Sequence, residues 1–257
     1  MTYWTIGPIF AAGSFFGILL MLDLGRRLRR RRAAGDGGAA GMGAVEGAVF
    51  ALMGLLVAFT FSGAAARFDG RRQLIVEEAN DLGTAYLRLD LLPPGPRAAV
   101  QETFRRYVDT RLEAYRAIQD LGVVRAKVAE YQALQNEMWS QAVAGCQQQS
   151  PQTACAVLLL PALNAVFDIA STRAAAVRLH PPMVIYGMLS VVALACALLA
   201  GFSMGTAARR SWLHVVGFAA ILALTIWVTV DLEYPRLGLI RVDDFDQLLI
   251  DVRAGMR

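Results

Sequence analysis

The sequence predicts an all-α membrane protein: four transmembrane helices, with a helical soluble domain inserted between the second and third. Three observations predict it. Hydrophobic residues make up 56% of the 257 positions, above the roughly 45–50% usual for soluble globular chains. The excess is gathered in four long runs toward the two ends, while the middle of the chain has soluble composition. No stretch alternates apolar and polar residues with the period of two that a half-buried strand needs.

The first run, Tyr3 to Leu22, has the about twenty residues that cross a bilayer core. No positive charge precedes it and arginines follow it, the pattern of a retained anchor rather than a cleaved leader. An arginine-rich loop comes next, Arg26-Arg27-Leu28-Arg29-Arg30-Arg31-Arg32, then a Gly/Ala linker over 33–43. The second run, about Val45 to Ala66, completes a first helix pair over residues 1–66. Along it Gly43, Gly47, Ala51, Gly54, Ala58 and Ser62 recur every three or four residues and fall on one helical face. In lipid such a face permits close backbone approach, so Gly47, Ala51, Gly54 and Ala58 are assigned to helix packing. The plain abundance of Ala and Gly is the competing explanation. The third run carries a weaker stripe, Gly187, Ser190, Ala193, Ala197 and Gly201.

Residues 67–182 read as the soluble domain. The second helix is expected to continue to Leu92 and stop at Pro93-Pro94-Gly95. A helix over Arg97–Gln119 places Val100, Phe104, Tyr107, Val108, Leu112, Tyr115 and Ile118 on one face, the spacing of an amphipathic helix. Gly122 is expected to break it. The next helix turns Val124, Val128, Tyr131, Leu134 and Met138 inward. The last runs from Pro151, suited to a helix start, to Leu179, with a kink at Pro161. Residues 183–231 form the second helix pair, with Arg209-Arg210 in its turn, and 232–257 a polar, helical tail.

Several function classes are excluded by residue type. The single lysine, Lys127, rules out a P-loop. Two isolated histidines, His180 and His214, make no zinc site, and no metal or cofactor is expected. Gly201-Phe202-Ser203-Met204-Gly205 matches a hydrolase elbow literally, but it lacks the strand–turn–helix context that the chemistry needs. Arginine clusters beside apolar runs rather than among aromatics, which favours a lipid bilayer over nucleic acid as partner.

No ionisable side chain lies in the middle of a span. Coupled pumps usually carry such groups, whereas a passive pore for a small inorganic ion can be lined by apolar rings and hydroxyls. Phe59-Thr60-Phe61-Ser62 is the most pore-like element, with lipid-facing phenylalanine as the plainer alternative. The run Glu77, Glu78, Asn80, Asp81, Thr84 and Arg88 reads either as a vestibule or as a solvated helix face with i,i+4 pairs. Cys146 and Cys155 flank a polar turn. They either close it as a disulfide, worth about 2–3 kcal/mol, or remain two unlinked thiols.

Specific strings carry a family resemblance. Glu46-Gly47-Ala48, Ala58-Phe59-Thr60-Phe61-Ser62-Gly63, Arg67-Phe68-Asp69, Glu77-Glu78-Ala79-Asn80, Gly83-Thr84-Ala85-Tyr86-Leu87-Arg88, Leu179-His180-Pro181-Pro182 and Asp231-Leu232-Glu233-Tyr234-Pro235-Arg236 resemble the bestrophin-like family of bacterial membrane proteins over about Val45 to Arg257. The resemblance implies a non-enzymatic, homo-oligomeric passive channel, anion-conducting, whose second span lines the pore at Phe59, Thr60, Phe61 and Ser62. The bestrophin neck string is absent here, and Asp243-Asp244-Phe245-Asp246 is too sparse for a calcium clasp. The alternative is a structural or sensory protein whose helical domain binds a partner.

The address implied is the bacterial inner membrane. Orientation is set by two arguments that disagree. Short arginine-rich loops stay cytoplasmic, which puts the soluble domain and its cysteine pair on the periplasmic side. The resemblance implies a cytosolic domain instead. Short-loop charge and the cysteine pair agree independently, so the periplasmic side is expected.

Overall fold

The computed structural model describes residues 3–32, 42–148, 155–206 and 211–257, so Arg209-Arg210 and the start expected at Pro151 lie outside the described residues. Every regular element among the described residues is helical: α1 (Tyr3–Arg32), α2 (Met42–Arg88), α3 (Pro94–Arg116), α4 (Leu121–Gln147), α5 (Leu160–Arg178), α6 (Met183–Ser203), α7 (Trp212–Glu233) and α8 (Asp246–Gly255), with short 3-10 turns and one π-helical turn at Cys155–Leu159. Four helical stretches are long and apolar enough to cross a membrane. The chain divides into two compact units, Met1–Phe68 with His180–Ile240 and Asp69–Leu179 with Arg241–Arg257. The stretch read as a polar tail is therefore shared between them.

In the first unit α1 packs against α6 and α7. Helices in lipid must satisfy their own backbone and gain little from apolar contact, so small residues decide where they meet. A Cβ at Gly201 would fall on the Leu22 carbonyl, and one at Gly25 on the Leu198 carbonyl. These two glycines let α1 and α6 touch backbone to backbone. Ala193 and Ala197 of the third-span stripe are buried beside them, whereas Gly187 is open. Ile18, Leu22, Ala197, Ala200, Val215, Ala219 and Ala223 fill the α1–α6–α7 seam. The α2 helix joins through longer side chains, Met53 and part-buried Phe50 and Val57, around Leu189, Ala193, Cys196 and Ile226. A crevice of about 270 Å³ remains between α2, α6 and α7. The hydroxyls of Thr60, Ser190, Thr225 and Thr229 donate to carbonyls of the preceding turn, so none needs a partner from lipid.

Several boundaries differ from expectation: α2 gives way to a 3-10 turn after Arg88, and α3 spans Pro94–Arg116 rather than Arg97–Gln119. The arginines placed in a loop extend α1 to Arg32, because arginine is a good helix former and the span has already met the cost of nucleation. The α3–α4 break comes from Asp120, whose carboxylate accepts from the Gly122 and Val123 amides at 2.9 and 3.2 Å, so Gly122 lies inside the first turn of α4. The irregularity expected at Pro161 appears as the π-helical turn just before α5, since a residue without an N–H cannot continue the i→i−4 pattern.

The second unit is organised around one carboxylate. Val100, Phe104, Tyr107, Val108 and Leu112 of α3 meet Tyr131, Leu134 and Met138 of α4. Inside this core Glu78 is fully buried. Arg111 donates to its Oε1 from Nε at 3.0 Å and Nη2 at 2.6 Å, Tyr115 donates to Oε2 at 3.2 Å, and Arg173 Nη1 donates to the same oxygen. The two guanidiniums also lie over aromatic rings, Arg111 over Tyr131 at 4.8 Å and Arg173 over Tyr115 at 4.3 Å. The α8 helix closes the unit: Arg253 makes a bidentate pair with Asp109 at 2.8 Å, and Tyr86 donates to the Arg257 carbonyl. Cys146 and Cys155 are joined by a disulfide that ties the end of α4 to the π-helical turn.

Removing one partner of a buried ion pair leaves an uncompensated charge, at a cost of about 3–5 kcal/mol. Glu78→Gln is therefore expected to lower the melting temperature strongly, followed by circular dichroism in detergent. Exposed Glu77→Gln should stay within about 0.5 kcal/mol. Wild-type melting of Glu78→Gln would show that the cluster is not what holds this unit.

Candidate functional site

The α2 helix presents two contrasting faces within the membrane unit. Met53 and Ala64 are buried, with Val49, Phe50, Leu56, Val57 and Thr60 partly so. The rest of its circumference is uncovered in a single chain. Gly47, Ala51, Gly54, Ala58 and Ser62 are all exposed, and a Cβ at Gly47 or Gly54 would meet nothing within 4 Å. Within the chain the small-residue stripe is thus largely uncovered, with Gly54 lining the crevice beside α6 and α7. It runs beside a row of larger exposed residues, Leu52, Leu55 and Phe59.

At 100° per residue, Phe59 and Phe61 stand about 160° apart on the helix and flank the stripe on opposite edges. Phe59 is 68% exposed and Phe61 42%. Thr60 lies on the inner face, and its hydroxyl is committed to the Leu56 and Val57 carbonyls. Of the two hydroxyls in the string, only Ser62 is on the uncovered face. The four residues of the string therefore point in different directions around α2, as the helical period requires.

Three of the family-resembling strings meet at the end of this unit. Arg67 of α2 donates to Glu233 Oε1 of α7 from Nε at 2.8 Å and from Nη2 at 2.5 Å. His180 Nδ1 lies 3.7 Å from the other Glu233 oxygen, and its ring stacks on Tyr234 at 4.9 Å. Asp231 accepts the Leu239 and Ile240 amides at 2.9 and 2.8 Å, folding the segment after Pro235 back onto the helix end. Gly238 sits so close that a Cβ there would collide with the Asp231 carboxylate. Asp231 and Glu233 are 2% and 1% exposed. Asp231, at the end of the fourth span, is enclosed and satisfied by backbone amides. The missed residue is Glu233. Its signal was present in the string Asp231-Leu232-Glu233, where two carboxylates two residues apart point to different sides of α7.

In the second unit the acidic run divides. Glu77, Asn80 and Thr84 are exposed, while Glu78 is the buried centre described above. Arg88 donates to the Leu158 carbonyl at 2.9 Å. Ser203 of the elbow-like string closes helix α6 and donates to Glu46 at 2.6 Å. Asp243 and Asp246 face Arg241 and Arg173 at 3.4 and 3.8 Å. No group of three or more His, Cys, Asp or Glu placed to hold a metal occurs among the described residues.

The geometry is that of a helical membrane unit with one uncharged helix face left open and a charged lock at its end. The chain matches the bestrophin-like domain over residues 11–245. Its fold is similar to the crystal structure of a point mutant of a bacterial bestrophin homologue from Klebsiella pneumoniae, with a TM-score of 0.64 and 15% identity, covering 94% of this chain and 98% of that one. No curated protein matches the chain. The chain is therefore a helical, multi-pass membrane protein belonging to the bestrophin-like family.

Proposed function

We propose that the chain is one subunit of a homo-oligomeric passive ion channel, conducting small inorganic anions, with α2 lining the pore. The observation that carries this reading is the open α2 face. Elsewhere the uncovered surface of the membrane unit carries many large side chains suited to lipid, such as Phe16, Leu20, Val191, Leu213, Ile221 and Leu224, with small residues such as Gly187 scattered among them. Gly47, Ala51, Gly54, Ala58 and Ser62 offer lipid little area but let another helix approach closely. An exposed arc this wide accommodates both neighbouring copies of α2 and a lumen. Family membership supports the same arrangement. Aromatic rings at a constriction gate by dewetting, a role available to Phe59 or Phe61 but, given their opposed directions, not to both equally. Exposed Glu77, Asn80 and Thr84 continue as a vestibule in the soluble domain.

Purified protein in liposomes is expected to support chloride-dependent flux. Alanine at whichever of Phe59 and Phe61 faces the lumen should widen and wet the constriction and raise leak severalfold. Unchanged leak in both assembled variants removes these residues from the pore. No flux under several ionic conditions favours the rival reading, a structural or sensory protein whose helical domain binds a partner.

The soluble domain, inserted between the second and third spans, is assigned to the periplasmic side of the bacterial inner membrane. The arginine-rich end of α1 and the short Arg209-Arg210 connection support this, as does the Cys146–Cys155 bond, which persists in oxidising compartments. In a Cys196→Ala background, Cys146 and Cys155 of intact cells should resist thiol labelling until reduced, then react with a membrane-impermeant reagent. Reaction only after permeabilisation reverses the orientation.

A further inference from the structure

The far end of α1 carries an arginine cluster that no other described helix end of the membrane unit has. Leu20, Leu24 and Leu28 form an exposed aliphatic row, and Arg27 and Arg31 follow on the same face at spacings of three and four residues. Arg30 is exposed next to them. The helix does not break between the apolar row and the cations, because α1 is continuous to Arg32. Arg26 and Arg29 point the other way, toward α6: Arg29 lies over the Phe202 ring at 5.2 Å, and its Cβ and Cγ abut Gly205. These contacts fix the rotation of the helix and hold the outward arginines in place.

The counter-charge available is small. Asp23 pairs with Arg27 at 2.7 Å, but the Arg27 side chain is 73% exposed, so the pair is weak and serves to aim the guanidinium. Arg30 and Arg31 have no ion pair or hydrogen bond among the described residues. The buried Nε of Arg26 likewise meets no acceptor among them.

We propose that this end of α1 is a binding site for an anionic phospholipid, with the phosphate held by Arg27, Arg30 and Arg31 and an acyl chain lying along Leu28, Leu24 and Leu20. From Arg27 to Arg31 the helix rises about 6 Å, the dimension of one headgroup. Guanidinium forks match phosphate oxygens in bidentate geometry. The arginines continue the lipid-facing row of a spanning helix without a break, so they stand at the level of the headgroups rather than in free solution. A phospholipid covers both arginines and leucines, which commits the site to the bilayer's own anionic lipid. The site is independent of conduction, and its loss leaves the α2 face unchanged.

The test is native mass spectrometry of the full-length protein, released from detergent micelles containing equimolar phosphatidylglycerol and phosphatidylcholine. Each arginine near an anionic surface contributes about a fivefold preference, so the wild type should retain phosphatidylglycerol at least about fivefold over phosphatidylcholine. The triple variant Arg27→Gln, Arg30→Gln, Arg31→Gln should lose that preference, while the corresponding triple lysine variant should keep most of it. Raising salt should lower the wild-type ratio, a readout that needs no variant to fold. Millimolar inorganic phosphate should not displace the lipid. Equal retention of both lipids by the wild type, a salt-independent ratio, a preference surviving in the glutamine variant, or displacement by inorganic phosphate would each overturn the proposal.

Discussion

Between helices in lipid there is little water to expel, so association depends on how closely backbones can approach. In the membrane unit that approach is made at Gly25 and Gly201, where each helix leaves room for a carbonyl of the other. The α1–α6 contact is the closest seam of the unit, and α7 is laid against it through Val215, Ala219 and Ala223. With the seam closed around α1, α6 and α7, α2 is held by longer side chains such as Met53 and Phe50 and by its polar contacts to Ser203 and Glu233. Its Gly47, Ala51, Gly54 and Ala58 are left on the outside. The same physics that closes three helices within one chain therefore leaves the fourth able to close against another chain.

Much of this was legible in the residues, but unevenly. The four spans, the helical character of the middle of the chain and the inner faces of α3 and α4 follow directly from hydrophobic period, and Phe104, Tyr107, Leu134 and Met138 are buried as that period requires. The small-residue stripe of α2 was also visible. What periodicity could not say was whether its partner lay in the same chain, because a glycine face looks alike whatever covers it. Gly25 escaped notice because it stands alone beside the arginines, with no stripe to mark it. Its role depends on where Leu198 of another helix arrives.

Charged residues were harder to read, for a related reason. Glu78 and Glu233 sit in polar-looking strings beside exposed neighbours, yet both are enclosed and met by arginines distant in sequence, Arg111 and Arg173 for the first and Arg67 for the second. Burying a carboxylate is costly unless several donors converge on it, and convergence is a property of the fold rather than of the string. That the resembling strings Arg67-Phe68-Asp69, Leu179-His180-Pro181-Pro182 and Asp231-Leu232-Glu233-Tyr234 supply Arg67, His180, Glu233 and Tyr234 to one cluster gives their specificity a physical content. They encode an ion pair and a stacked ring rather than a surface.

In the proposed oligomer the open face of α2 is covered by further copies of the same chain. This arrangement is tested most directly by the molecular mass of the detergent-solubilised protein, from light scattering across a range of concentrations, for the wild type and for Gly54→Leu. The wild type should form a closed oligomer of fixed mass. Gly54→Leu should give smaller species with unchanged helix content, because a leucine there holds neighbouring α2 backbones apart. A monomeric wild type, or a Gly54→Leu protein of the same mass, would contradict it.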